Sequence, residues 1–554
     1  MRRLFLRMPP FGVATLVASV LFVALPQTGG ARARARAGAA TESRLASRTA
    51  LAVLARGGDA VDAVVAAALA AGVVAPSSSG LGGGGFALVY RASDRGVSVF
   101  DFRETAPAAV DTAAFERRPL PDAERGKLVG VPGEARGLAE LHRRYGKRPW
   151  AELVEPAERF ARDGFAVETH LASVLTDKDA RRYRAVPSLA RSFWPGASPA
   201  LVGARVKRPE LARTLHTLAT SGPEALYSGP VANDIVAAAR RFGGALGAGD
   251  LRAYAVRERQ PLRFTWEDYE VVTMPPPSAG GLFLAEVLGS FTRDELARAD
   301  LASGLGVHLL AEVMRGALAD RAHYSGDPDV LPVDVRALFA PARLAARKAG
   351  MLPERTRSVP ALAGEDHGTH ALVVADAEGN VVSLTTTVNT AFGAEIDGET
   401  SGIVLNDELD DFTARSATTA LGLRSPPNSA RPGLRPASSM MPTIVLRGGK
   451  PVFALGGSGG YSIPPSVTYA LLRLLVRGET PENAVKSPRF RFDSNDYALL
   501  LDGRFPDAVR ADLGRRGETV RTSDATSAVQ VLAFTPGGVV GAADPRKGGA
   551  ALVE

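Results

Sequence analysis

At 554 residues the chain is long enough for several ordinary domains or one large two-lobed body with a deep core. Its formal charge of +7 comes from dispersed arginines, and an aromatic fraction of only 6% offers no base-stacking platform, which argues against nucleic acid as a partner. The absence of cysteine excludes disulfides, a lipoprotein anchor, thiolate metal sites and a cysteine nucleophile.

The first 37 residues or so read as a leader. Arg2, Arg3 and Arg7 precede the apolar run FGVATLVASVLFVAL, and GGARARARAGAA supplies A-x-A cleavage points, the layout of a signal peptide. The start RRLFLR also resembles a twin-arginine export motif, although an ordinary positive n-region is the simpler reading. The run is short for an uncleaved anchor, and nothing later is long and apolar enough to span a bilayer. The expectation is a periplasmic or secreted protein.

Further along, TESRLASRTALAVLARGGDAVDAVVAAALAAGVV carries apolar residues at helical spacing on both sides of Gly57-Gly58, which predicts two helices. A glycine loop then feeds two alternating strands, FALVYRA and VSVFDF. From about Gly130 to Met351 the pattern is mostly helical, interrupted by the strand-like island LRFTWEDYEVVTMPPPSAGG. From His370 strands and turns take over: HALVVADAEGN and VVSLTTTVN predict a hairpin around Glu378-Gly379-Asn380. The strands PTIVLRGGKPVFALGG and the helix SVTYALLRLLV follow. Strands and helices in blocks predict stacked sheets covered by helices.

Several constellations could carry chemistry. Gly80 to Gly85 satisfies G-x-G-x-x-G, but a strand follows where a dinucleotide site needs a helix, so close backbone packing is the better reading. Gly456 to Gly460 satisfies G-x-S-x-G between a strand and a helix, yet no histidine follows His370, which excludes a serine triad in that chain order. The same glycines could offer backbone N–H groups to an oxyanion. His367 and His370 would point to opposite faces of an extended segment, a poor start for a metal site. The acidic run Asn406 to Asp411 lacks EF-hand spacing; it is either a solvated loop or a pocket for a cationic amine. Thr369 follows Gly368 at the head of the hairpin. Freed by cleavage before it, this threonine would carry its own α-amine as base, and glycine at 368 would tolerate the strained geometry of an N-to-O acyl shift.

The phrases GGDAVDA, SGLGGGGFALVY, DFRETAP, GVPGEARGL with RYGKRPW, YEVVTMPPPSAGG, GNVVSLTTTVNTAFG, SGIVLNDELDDF, RPASSMMPTIV and GGSGG occur in one order. With them the chain resembles the γ-glutamyltransferase family of N-terminal-nucleophile hydrolases, from about Thr41 to Glu554. The resemblance implies an α+β fold, a four-layer αββα sandwich, cut from a precursor into a large subunit (38–368) and a small subunit (369–554) that remain a heterodimer. It implies Thr369 as nucleophile, Thr387 as the residue orienting it, and Gly459 and Gly460 as the oxyanion hole. Arg103, helped by Ser438 and Ser439, would hold the substrate α-carboxylate, and Asn389, Glu408 and Asp411 the α-amine. The expected donor is glutathione or another γ-glutamyl compound, the acceptor water or an amino-acid or peptide amine, with no metal or cofactor.

Two departures bear on these expectations. The family usually reads Thr-Thr/Ser-His-x-Ser-Val-Val-Asp where this chain has Gly-Thr-His-Ala-Leu-Val-Val-Ala-Asp. Anchoring on Asp376, Gly379, Asn380 and Asn389 needs no gap and makes Thr369 the nucleophile; anchoring on Thr-His puts Gly368 there and needs an insertion that would flip every later side chain. Second, TARSATTALGLRSPPNSARPGL, between Asp411 and Arg435, holds no aromatic to cover the pocket. Two alternatives stay open: an acylase for glutaryl side chains or poly-γ-glutamate on the same scaffold, and a non-cleaving binding protein.

Overall fold

Strands with apolar side chains on both faces organise the molecule. The computed structural model describes residues 35–330, 334–356, 368–415, 426–493, 496, 498–523 and 527–554. The leader as far as residue 34, His367 and residues 416–425 of the lid region lie outside them.

Among the described residues, one seven-stranded sheet runs, edge to edge, Ala550–Val553, Gly38–Thr41, Gly368–Ala375, Val381–Asn389, Gly84–Tyr90, Val97–Phe102 and Arg257–Arg259. A six-stranded sheet runs Gly538–Ala543, Ala528–Thr535, Lys450–Ser458, Thr443–Arg447, Tyr269–Thr273 and Leu262–Trp266. Successive side chains leave a strand on opposite faces. Leu372, Val374, Val382, Leu384, Ala87 and Val89 therefore enter one core with the helices Arg44–Ala55, Ala60–Val74 and Glu134–Tyr145. Val373, Ala375, Val381, Phe86 and Leu88 enter a second core with Val271, Ile444, Ala454 and Val531 of the facing sheet. That core continues to the helices Gly280–Gly289, Gly304–Tyr324 and Ile463–Arg477, which cover the six-stranded sheet. The layers are helix, sheet, sheet, helix, the αββα sandwich expected.

Both sheets mix strands from before and after Gly368. Gly38–Thr41 is paired on one side to Leu372–Ala375 and on the other to Ala550–Val553. Gly84–Tyr90 pairs with Val381–Thr387, and Glu270–Thr273 with Thr443–Leu446. A cut before Thr369 would leave these ladders and both cores intact.

The hairpin is tied to the helical layer. Asp59 caps the Ala60–Val74 helix in a capping box with Asp62, and Asp376 at the hairpin turn accepts from Ala60 N at 3.0 Å. Asp376 also accepts from the Asn380 backbone and side-chain amides at 2.9 and 2.8 Å, and Gly379 supplies the positive φ of 91°.

The glycine loop is a packing device. A Cβ on Gly83 would lie 1.9 Å from the Thr387 carbonyl oxygen, and one on Gly85 2.2 Å from that of Thr385. Only glycines let this strand lie flat on the hairpin. Gly83→Ala should destabilise the protein by about 1–3 kcal/mol through this overlap, read as a lower thermal midpoint.

Candidate active site

The hairpin pairs regularly from Val381↔Ala375 to Thr386↔His370 and then slips, with Asn389 opposite Gly368. At this bulge Thr369, Thr387 and Asn389 line one cavity. Asn389 sits at φ 76°, the left-handed region that asparagine tolerates better than most residues. Its backbone N–H donates to Thr387 Oγ1 at 2.8 Å, which directs the Thr387 hydroxyl proton elsewhere. That proton goes to the Gly368 carbonyl oxygen at 2.6 Å, and Thr369 Oγ1 donates to the same oxygen at 2.8 Å. The carbonyl of the Gly368-Thr369 peptide is thus polarised by two hydroxyls. Gly368 faces the Ser77 carbonyl, 2.5 Å from where a Cβ would be, so no larger residue fits there. His370 points away from the cavity: it is buried with both ring nitrogens unpartnered among the described residues, and burial, with Lys547 nearby, lowers its pKa to about 3.

Arg103 forms the other wall. It follows the Val97–Phe102 strand, is 1% exposed, and pairs with Glu408 and, at 2.5 Å, with Asp411. Its fork also donates to the carbonyls of Pro436 and Ala437 at 3.3 and 2.9 Å. Burial acts to lower its pKa, but Glu408, Asp411 and Glu104 outweigh that and hold it charged. Burial pushes Glu104 up to about 8, with Arg103 opposing, and burial raises Glu408 as well. Glu408 meets Arg103 through Oε1, while its Oε2 has no hydrogen-bond partner among the described residues.

Asn406 gathers the loops behind this wall. Its amide donates to Gly82 O at 2.7 Å and Gly130 O at 3.0 Å, and its oxygen accepts from Gly130 N and Glu408 N. The SGLGGGG, GVPGEA and NDELDD segments meet at this one side chain. The acidic run is therefore not a solvated loop: Glu408 is 1% exposed, and Asp410 on its outer side pairs with Arg118 at 2.7 Å.

Asp407 in the same run accepts from Thr390 Oγ1 at 2.6 Å and Thr390 N at 3.0 Å, yet burial raises its pKa to about 7. The folded-state value lies above the unfolded one of about 4. Its stabilising contribution is complete below about pH 4 and is lost as pH rises towards about 7. Asp407→Asn should flatten that part of the slope of unfolding free energy against pH, measured by denaturant titration.

Ser438 and Ser439 complete the cavity. They are held by the PPPSAGG segment, with Ser438 N donating to Pro277 O and Ala279 N to Ser438 O, both at 2.9 Å. Gly460 also lines the cavity, with φ 54°, and Gly459 precedes it at φ 116°, both in the left-handed region. Of the residues expected at the site, Arg103, Thr369, Thr387, Asn389, Glu408, Asp411, Ser438, Ser439 and Gly460 share this cavity. Gly459 and Gly368 stand one residue behind it in the chain.

Tyr461 and Lys547 are among the neighbours that sequence reasoning missed. Tyr461 lines the cavity directly after the glycine pair; an aromatic in that place was a readable signal. Lys547, 5% exposed near the C-terminus, donates to the Thr369 carbonyl at 3.2 Å and pairs with Glu42 at 3.3 Å, whose other oxygen accepts from Ala371 N. Nothing local in DPRKGG marks it. Elsewhere, His308, Glu312 and Glu518 are spaced to hold a metal ion, but the Arg315 guanidinium sits on both glutamates and fills that role.

The chain matches the family model described as Gamma-glutamyltranspeptidase over residues 46–554. It is 34% identical to glutathione hydrolase 2 of Arabidopsis thaliana over 536 residues, covering 90% of each chain. It is 32% identical to the glutathione hydrolase proenzyme of Bacillus subtilis strain 168 over 543 residues, 93% of this chain and 90% of that one. Among solved structures, a cephalosporin acylase from Bacillus halodurans superposes with a TM-score of 0.83 at 25% identity, covering 94% of this chain and 96% of that one. A match across nearly the whole length, with the site's residues gathered around one cavity, makes this chain a member of the gamma-glutamyltranspeptidase family.

Proposed function

We propose that the protein is a self-processing γ-glutamyl hydrolase and transpeptidase acting on glutathione and related compounds. The observation that carries the substrate class is the Arg103–Glu408 pair, with Asp411 on the same guanidinium and Glu408 Oε2 unpartnered among the described residues. A free α-amino acid head group is a zwitterion of matching size. Its carboxylate would take the Arg103 fork with Ser438 and Ser439, and its ammonium would take Glu408, Asp411 and Asn389.

Processing comes first. Thr369 Oγ attacks the Gly368 carbonyl carbon, polarised by Thr387, and the C–N bond breaks as the acyl group moves to oxygen. That scission frees the Thr369 α-amine, which keeps the hydroxyl proton, and water then hydrolyses the ester, releasing the Gly368 carboxylate and restoring the Thr369 hydroxyl. In turnover that amine takes the hydroxyl proton while Oγ bonds to the substrate γ-carbonyl carbon. The oxyanion rests on the Gly459 and Gly460 N–H groups. Collapse breaks the γ-amide bond, the α-ammonium returns the proton to the leaving amine, and water or another amine takes the γ-glutamyl group from Thr369. The interleaved strands support large and small subunits that stay together. Among the described residues no helix is long and apolar enough to cross a membrane, and with the sequence of the leader this supports export.

An acylase is the second reading, favoured by the likeness to the cephalosporin acylase structure. Kinetics on γ-glutamyl and glutaryl 4-nitroanilides separate the two. The α-amine is the only difference between these substrates, so the first reading expects kcat/KM at least about tenfold higher for the γ-glutamyl compound. Equal or reversed values would establish the acylase.

A further inference from the structure

Of the side chains lining the cavity, only Asp411 and Tyr461 are partly exposed; the others are buried. The mouth lies at these two residues. Asp411 belongs to the head-group pocket with Arg103. Tyr461 therefore flanks the way out for whatever leaves Thr369.

Over the Tyr461 ring, 4.1 Å from its centroid, sits the guanidinium of Arg321, from the last turn of the Gly304–Tyr324 helix. Among the described residues no ion pair joins Arg321 to an acid, and its chain neighbour Asp320 is held by Arg343 and Arg347. Arg321 Nε is buried without a hydrogen-bond partner among the described residues. A guanidinium fixed by an aromatic face and not neutralised by an acid is a ready carboxylate receptor.

Resting on the γ-glutamyl reading above, we propose that Arg321, held on Tyr461, forms a subsite for the departing and accepting amine and binds a carboxylate carried by it. The preferred leaving groups and acceptors are then amino acids and short peptides with a free C-terminal carboxylate. Uncharged amines would bind without this contact.

The test compares γ-glutamyl-4-nitroanilide with γ-glutamyl-3-carboxy-4-nitroanilide, which differ by one carboxylate on the leaving group. Arg321→Ala should lose about tenfold or more in kcat/KM on the carboxylated donor and stay within about twofold of wild type on the uncharged one. Arg321→Lys should restore part of the preference. Equal losses on both donors, or no loss on either, would overturn the subsite while leaving the γ-glutamyl reading standing. A wild type inactive on both donors would contradict that reading and this proposal with it.

Discussion

Thr369→Ala should yield a folded, full-length chain that neither cleaves itself nor turns over any γ-glutamyl compound. The substitution removes the hydroxyl that donates to the Gly368 carbonyl and leaves the strand ladder and both cores in place. Loss of a covalent nucleophile costs on the order of 10⁴-fold or more in kcat. Thr369→Ser keeps the hydroxyl and should keep both processing and activity at reduced rates. Thr387→Val should slow processing specifically, because it removes the second donor to the scissile carbonyl. A denaturing gel followed over time reads all three variants.

Arg103→Met should be the most damaging change in substrate binding. It leaves Glu408 buried without its cation, takes Arg103 from the partly exposed Asp411, and removes the expected partner of the substrate carboxylate. Truncating one member of a buried charge pair costs about 2–5 kcal/mol, which corresponds to roughly 30- to 5000-fold in kcat/KM. Most of the loss should appear in KM, because the proposed partner of Arg103 is the head group and not the reacting carbonyl. Arg103→Lys should recover little, since one ammonium cannot reach two carboxylates and the carbonyls of Pro436 and Ala437 together. Glu408→Gln keeps the shape and an acceptor oxygen, so it should be milder. If Arg103→Met lowers kcat alone, the assignment of the head-group pocket is wrong.

The architecture was legible because its periodicities are strong. The two helices around Gly57-Gly58, the strands FALVY and VSVFDF, and the 368–389 hairpin all stand where their patterns placed them. Assigning roles needed more than pattern. Nothing in NDELDD distinguishes a solvated loop from a buried ion pair until Asn406 and Arg103 are brought to it from elsewhere in the chain. The register at Gly368-Thr369 was a one-residue choice in sequence; in space Thr369 lines the cavity, while His370 turns into the interior. Lys547 and Arg321 were invisible because their partners lie 178 and 140 residues away along the chain, a separation that no local motif records.

Self-cleavage before Thr369 is the claim on which the chemistry depends. The most direct measurement is a denaturing gel of the purified wild-type protein, with N-terminal sequencing of the smaller fragment. Two fragments, the smaller beginning Thr-His-Ala-Leu-Val, are the result expected. A single full-length band that persists on incubation, or a fragment beginning at any other residue, would contradict the account.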